Sequence, residues 1–398
     1  MPYLITPEGA TPWMPAVICH ELAGRTLAVL GTQNSVGSAS REGARRWMDC
    51  DMWVQERRAV PGGNVRCETD PATGIEIHTY GSHIFHTKNE KVWELVNRFT
   101  KFNNYRHCVH AKHAGKIYHL PFGRTLYDEF FGKGNYELPP NDRQNAAIFD
   151  AFIRHYTAKQ WGMDAEKVDP SVIKRLKVRD SYSTDYFDDP HQGIPLEGYN
   201  RLFDNMLDHP NITIQCKCLL SLEGDKAKAK GEGEQWINQA IRQSDNQTIY
   251  YSGPIDELFN YKFGALPWRS LRFEMEKLPT GDFQHNSVVN YPDKEVPYTR
   301  IHEFRHYHPE WETESKAKGE GLRRRGGEKT VIMREYSKTW EMGDEPYYPI
   351  NNPESAALLK RYQDEAAKIP NLVVGGRLGG YKYYDMDQAM AVALEVNI

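Results

Sequence analysis

The chain has 398 residues, 39% hydrophobic and 26% charged, enough for two or three folded cores at about 150 residues each and too apolar for intrinsic disorder. Lys and Arg total 50 against 54 Asp and Glu, a net charge of -4. No global positive field is therefore available to nucleic acid or an anionic membrane, and an anionic ligand has to be met by local arginines. No run of 18 apolar residues and no charged-then-apolar leader occurs, so neither membrane insertion nor secretion is expected. The six cysteines (Cys19, Cys50, Cys67, Cys108, Cys216 and Cys218) contain no CxxC, which favours reduced thiols in the cytoplasm over a disulfide scaffold.

In chain order, four prolines break the first 15 residues, and AVICHELA (16–23) reads as a short helix with Val17, Ile18 and Leu22 on its apolar side. Residues 24–51 hold one apolar run, 27–30, and then a Gly/Ser/Arg stretch expected to be a loop. MWVQE (52–56) is a strand ended by an acid, followed by RRAVPGGN, a DPATG turn, the alternating strand IEIHTY and the block GSHIFHT. Helical spacing continues over 90–105, and KHAGKIYHLPF is a hairpin with a glycine turn. Residues 124–176 are mostly helical, with Pro170 suited to a helix start. IPLEGYNRLFDNML turns into an amphipathic helix, and NITIQCKCLL and QTIYYSG are strands. In the former, Cys216 and Cys218 alternate and so share a face, for which burial is expected rather than metal binding. SLRFEMEKL, NSVVNY and KTVIMREYS are further strands, and NLVVGGRLGGYKYYDMDQAMAVAL closes the chain as strand, turn and helix. The repeated string KAKGEG, at 228–233 and 316–321, reads as solvated surface loop, as does Arg323-Arg324-Arg325.

A strand, an acid and a glycine pair in succession fit the second strand of a dinucleotide fold. Glu56 is placed to accept from ribose hydroxyls, and Gly62 and Gly63 let backbone N–H groups approach a pyrophosphate. Taken alone, such a pair is more often only a turn.

Nine blocks decide the matter jointly: GSHIFHT, YTAKQWG, IKRLKVR, YFDDPHQGIP, SGPIDELFNYKFGALPWRSLRFE, VPYTRIHEFRH, MREYS, GDEPYYPIN and GGRLGGYKYYDMDQA. In order and spacing they resemble the flavin-dependent UDP-galactopyranose mutases of the bacterial type, from about residue 52 to the end. The resemblance implies an α/β fold: a Rossmann-like FAD-binding domain built from separated segments, a helical domain and an antiparallel β-sheet domain. Residues 1–87 would begin the FAD domain, with 1–51 degenerate. Residues 88–180 would form the helical substrate domain, with a mobile lid near 162–180. Residues 181–330 would hold the sheet domain and a returning FAD segment near 193–255, and 331–398 the end of the sheet and the C-terminal FAD segment.

The same resemblance implies FAD contacts from Glu56, Arg57, Gly62, Gly63, Asn64, Arg377, Asp385 and Met386, with His83 and His86 on the loop facing the isoalloxazine. Their HxxH spacing is read as flavin packing, and no metal is expected. Arg175 and Arg300 match the two arginines that clamp the substrate diphosphate, a task suited to bidentate cations. Phe152, Tyr156, Trp161, Tyr186, Asn290, Tyr348 and Tyr383 match positions at the uridine, phosphates and sugar, with Arg269 near the flavin and His107 by the sugar pocket. The implied activity is interconversion of UDP-galactopyranose and UDP-galactofuranose: reduced FAD attacks the anomeric carbon through N5, UDP leaves, and the sugar ring opens and recloses without net redox change.

Departures from the family pattern define the alternatives. If AVICHELA is the first helix of the fold, Ala10, Pro12 and Pro15 stand where three glycines should cradle the pyrophosphate. The helical region after LPF (120–122) is also shorter than the family's dimer-forming one, so a homodimer stays open. The alternatives are an inactive UDP-sugar-binding homologue without FAD and a flavin amine oxidase-like oxidoreductase of the same fold.

Overall fold

The computed structural model describes residues 28–32, 51–168, 178–208, 212–223, 226–231, 248–311, 328–369 and 372–395. The first strands are β1 (Ala28–Thr32), β2 (Asp51–Glu56), β3 (Cys67–Thr69), β4 (Glu76–His78) and β5 (Phe85–Thr87). Helix α1 (Glu90–Val96) and the hairpin β6 (Val109–His113) and β7 (Lys116–Leu120) follow, and then α2 (Arg124–Phe131), α3 (Asp142–Ile148) and α4 (His155–Trp161). Next come β8 (His191–Gly193), α5 (Gly198–Leu207), β9 (Ile212–Cys216), β10 (Cys218–Glu223), β11 (Lys226–Gly231), β12 (Thr248–Tyr251) and α6 (Ile255–Leu258). The last part holds β13 (Trp268–Leu278), β14 (Val288–Asn290), β15 (Arg300–Glu303), β16 (Thr330–Thr339), β17 (Tyr348–Pro349), α7 (Pro353–Ala366), β18 (Leu372–Val374), α8 (Gly376–Gly379) and α9 (Met386–Glu395).

These elements make an α/β fold with two principal sheets. The first has the order β18-β12-β1-β2-β9. Pairs β12–β18 and β2–β9 are parallel, whereas β1 runs antiparallel to both of its neighbours. Four strands therefore share one direction, and the C-terminal ends of β2, β12 and β18 reach the same sheet edge. Glu56, Ser252 and Gly375 lie there, on the side where open α/β sheets take nucleotides.

The second sheet has seven strands in the order β17-β13-β16-β15-β14-β6-β7, antiparallel except for β14–β6. Its longest pair, β13 with β16, matches Arg272 to Tyr336 and Glu274 to Arg334. The Arg272 guanidinium lies 4.0 Å from the Tyr336 ring centre, and Arg334 Nη1 lies 2.7 Å from Glu276 Oε2. Cross-strand pairs of this kind hold the half-exposed stretch of a long ladder in register. Beneath it a core of Phe85, Tyr127, Tyr199, Phe203, Phe304 and Tyr307, all fully buried, joins the sheet to the helices.

Capping asparagines set the helix starts: Asn89 accepts from Lys91 and Val92 N–H, Asn141 pairs with Gln144 in a capping box, and Asn352 precedes Pro353. Residues Phe149–Arg154 form a π-helical turn between α3 and α4, a feature often found where a helix carries function.

Several expectations need correction. Within 90–105 only Glu90–Val96 is helical, and beyond it the backbone at 101–103 pairs with residues 194–196, Asn103 N–H donating to Ile194 O and Leu196 N–H to Lys101 O. Of the apolar run at 27–30, residues 28–30 lie in strand β1, which extends two residues into the stretch expected as loop, to Thr32. The first KAKGEG tract begins in strand β11, paired to β10, rather than in a loop; the second and the Arg323–Arg325 run lie outside the described residues. Cys216 and Cys218 do not continue one strand, since Lys217 between them has φ of +57° and turns the chain from β9 into β10. Among the described residues no helix is long and apolar enough to cross a membrane.

Candidate active site

Arg300 is the first residue of β15, and its register partner is Glu335 on β16. Its Nε lies 3.2 Å from Glu335 Oε1, and its Nη2 donates to the Tyr156 hydroxyl at 2.6 Å. Glu335 also accepts from Thr299 Oγ1 at 3.2 Å and lies 3.1 Å from His302 Nε2. Burial alone would raise the Glu335 carboxyl, but Arg300, His302 and Thr299 outweigh it and hold it down to about 2. Burial likewise disfavours the Arg300 cation, and Glu335 more than compensates. The result is a permanent cation fixed on a buried carboxylate, with Tyr348 and Tyr186 in the same electrostatic surroundings.

An aromatic tier adjoins this cation. Trp161, at the end of α4, lies 6.0 Å from Tyr348 between ring centres, and Tyr348 stacks on Tyr383 at 5.8 Å. The Arg377 guanidinium lies 4.3 Å from the Tyr383 ring centre and donates to Tyr347 O at 2.5 Å. Burial pushes the Tyr156 and Tyr348 phenols up, so both remain neutral hydrogen-bonding groups.

A third group of rings forms a shelf. His86 stacks on Phe187 at 3.6 Å, Phe187 stacks on His107 at 5.3 Å, and Tyr186 meets His107 edge-on at 5.5 Å. His86 Nδ1 bonds Asp189 Oδ2 at 2.5 Å. Burial lowers His107 to about 3 and His83 to about 4, so both rings are neutral near pH 7. His83 Nδ1 bonds Gly81 O at 2.7 Å, and the nearby charge of Arg377 adds to its shift.

On the cofactor side, Glu56 is fully buried at the end of β2, and its Oε1 accepts from Arg58 N–H at 2.9 Å. Gly62 and Gly63 have φ of +115° and +52°, backbone that glycine adopts without strain, and a Cβ on Gly62 would stand 3.4 Å from the Phe203 ring. Arg58, which the sequence reading passed over, links Asn64 at 2.6 Å and Glu345 at 3.0 Å and packs on Tyr80. Arg57 instead pairs with Glu257 and is more exposed. Asp385 and Met386 open α9, where the Asp387 carboxylate accepts from Thr87 Oγ1 at 3.0 Å, tying that helix to β5. Arg58 Nη1 and Arg377 Nε are buried without partners among the described residues. Two orphaned cationic donors beside a glycine cradle and a strand-end acid fit a flavin dinucleotide in chemical type.

Not every expected residue joins this group. Arg175 lies outside the described residues. Phe152 is packed among His113, Tyr118, Phe122 and Phe130 in the core. Arg269, expected at the substrate, has its donors taken by Gln160 O (2.9 Å), Lys159 O (3.3 Å), Thr339 Oγ1 (3.0 Å) and Ser337 Oγ (3.0 Å). Burial among these acceptors makes it the clamp of the α4 C-terminus rather than a ligand group. Asn290 ends β14 opposite Arg300, and its Oδ1 is buried without a hydrogen-bond partner among the described residues. Cys67, Glu76 and His78 also converge, but His78 Nδ1 accepts from His83 N–H at 3.0 Å. A neutral ring then carries its proton on Nε2, 3.8 Å from Glu76 Oε1 and beyond hydrogen-bond reach, and offers no lone pair there to a metal.

Comparisons with known proteins agree with this arrangement. A family model described as UDP-galactopyranose mutase matches residues 151–383, and one described as an NAD(P)-binding Rossmann-like domain matches residues 22–99. The second match begins after Ala10, Pro12 and Pro15, which lie outside the described residues. dTDP-fucopyranose mutase of Escherichia coli is 32% identical over 364 residues, covering 86% of this chain and 89% of that protein. UDP-galactopyranose mutase of Mycoplasma pneumoniae (strain ATCC 29342 / M129 / Subtype 1) is 32% identical over 378 residues, covering 85% and 87%. A crystal structure of reduced UDP-galactopyranose mutase shares the fold at a TM-score of 0.56, with 14% identity over 86% of this chain and 88% of that one.

Proposed function

Because this chain belongs to the UDP-galactopyranose mutase family, we propose that it interconverts UDP-galactopyranose and UDP-galactofuranose. The observation that carries the reading is Arg300, a cation anchored on buried Glu335 and bonded to Tyr156, next to the Trp161–Tyr348–Tyr383 tier. A fixed guanidinium in partly dehydrated surroundings suits a diphosphate that gains negative charge as the glycosyl C–O bond breaks. Flat rings beside it suit the uracil and the sugar face.

The family and the Rossmann-like unit imply a flavin cofactor, and we assign it as FAD. Glu56 would take the ribose, the Gly62–Gly63 turn the pyrophosphate, and Arg377 with the 385–386 helix start the isoalloxazine side. When bound and reduced, the flavin supplies the nucleophile for the anomeric carbon, so the protein needs none of its own. The chain's residues bind and orient: Arg300, with Arg175 by resemblance, holds the diphosphate. Tyr156 fixes the Arg300 guanidinium, His86 and His107 belong to the ring shelf, and His107 and His83 add no charge near pH 7.

A second reading has a specific support, the 32% identity to dTDP-fucopyranose mutase. It keeps the diphosphate clamp and changes the base and the sugar. Both are tested by incubating flavin-loaded, dithionite-reduced protein with each nucleotide furanose and separating the products by anion-exchange chromatography. Conversion of UDP-galactofuranose supports the first reading. Conversion of dTDP-fucofuranose alone moves the assignment to the second, and conversion of neither rejects both.

A further inference from the structure

Lys159 lies on α4, three residues after Tyr156 and two before Trp161, and forms no ion pair with a carboxylate among the described residues. Its Nζ faces four backbone carbonyl oxygens: Tyr291 O at 2.5 Å, Val296 O at 2.9 Å, Asp293 O at 3.0 Å and Tyr298 O at 3.1 Å. All four belong to the loop that joins β14 to β15. An ammonium has three protons in a compact tetrahedral head, so four converging carbonyls enclose it as they would a small bound cation. The two ends of that loop are Asn290, which closes β14, and Arg300, which opens β15. The helix end that bears Lys159 is itself held by Arg269, which takes the Lys159 and Gln160 carbonyls.

We infer that Lys159 is a positioning residue for Arg300: its caged ammonium fixes the 291–298 loop against α4 and so sets the guanidinium where it meets Tyr156 and the substrate diphosphate. This rests on the reading of Arg300 as a diphosphate clamp. Without the cation, four carbonyl dipoles converge on a site with nothing to receive them, and the loop has to spread to reach water. Arg300 then keeps its charge and Glu335 but loses its fixed distance to Tyr156. An arginine at position 159 would retain the charge and replace the compact head with a planar fork that cannot sit among four oxygens in the same way.

The geometry carries a second readout. Burial lowers Lys159 from its ordinary 10.5 to about 8, opposed by Asp293 and Glu295 of the loop, while Lys294 of the loop and Arg154, His155, Asp164 and Glu166 on or beside α4 line the same cavity. Neutral lysine above that pH donates fewer protons to the cage, so UDP affinity falls as pH rises from 7 to 9. That loss is flattened in K159R, which stays charged throughout.

The test is UDP binding by titration calorimetry for the wild type, Lys159→Met, Arg300→Ala and the double variant, each checked for a cooperative melt. The expected result is a loss of ~10-fold in K159M and ~100-fold in R300A, with the double variant within about twofold of R300A alone, because the lysine acts only through the arginine. Independent, multiplying losses, or a K159M that binds like wild type, overturn the inference while leaving the clamp intact. Full UDP affinity in R300A instead rejects the clamp reading. If K159M fails to melt cooperatively, the pH series on wild type and K159R decides, and identical slopes in the two overturn the inference.

Discussion

Arg300 Nε and Glu335 Oε1 face one another across the β15–β16 ladder at 3.2 Å, and Glu335 is only 3% exposed. Removing one partner of such a pair leaves the other charge uncompensated, which costs more than the pair contributes. Glu335→Gln should therefore destabilise the protein by about 3 kcal/mol, read as a shift of the urea midpoint. A midpoint within error of wild type would show that the pair is not coupled to folding.

The pH dependence of the same pair has a definite sign. Glu335 sits at about 2 in the folded chain against an ordinary 4.5. Its contribution is full above the unfolded value and is lost as pH falls from about 4.5 towards 2. Acid unfolding curves of wild type and E335Q should converge in that window, whereas curves that run parallel through it speak against the assignment.

His107 behaves in the same direction at higher pH. Its folded value of about 3, set first by burial, lies below its ordinary 6.5, so stability is retained above 6.5 and decreases as pH falls below it. The ring should show no titration between pH 5 and 8 in a histidine NMR pH series. A midpoint near 6.5 would mean that the ring reaches water.

Arg269 separates a clamp from a ligand. Arg269→Met removes the guanidinium donors from the Lys159 and Gln160 carbonyls and from the Thr339 and Ser337 hydroxyls, with Gln160 O still accepting from Ser337 Oγ at 2.6 Å, a loss of about 2 kcal/mol in stability. Melting temperature should fall together with UDP affinity. An unchanged melting temperature with lost affinity would return Arg269 to the substrate.

Gly62→Ala tests the cofactor cradle. At φ of +115°, with Phe203 3.4 Å from the new Cβ, the substitution costs about 1–2 kcal/mol. The bound flavin absorbance of the purified variant should fall below that of wild type, and equal flavin content would show that this turn does not touch the cofactor.

Much of this arrangement was legible before the structure, because the blocks that carry the family resemblance also carry its cations and rings. Arg300, Tyr156, Trp161, Tyr348, Tyr383 and Arg377 were named from such blocks, and the structure gathers them. What escaped were the partners: Glu335 lies in MREYS, but its importance depends on a cross-strand register that spacing along one strand does not reveal. Phe187 and Asp189 sit inside YFDDPHQ and matter only through the His86 ring they meet. Lys159 reads as a solvent lysine on an amphipathic helix until four distant carbonyls are seen around it. Arg269 was assigned by proximity in the family pattern, whereas its role is decided by which acceptors surround it. Helix length between 90 and 105 and the break at Lys217 were set by tertiary hydrogen bonds and by one backbone dihedral, neither of which has a local signature.

The alignment of the β2, β12 and β18 ends at one sheet edge has a consequence for how the chain is made. Glu56 and the Gly62–Gly63 turn leave the ribosome long before Gly375, Gly376 and Arg377 are synthesised. At the usual elongation rate of about 5–20 residues per second, tens of seconds separate the two halves of the crevice. During that interval the crevice lacks its C-terminal side, so it closes only once Gly375–Arg377 have emerged. Closure must also join contacts of long sequence separation, the slowest kind to form.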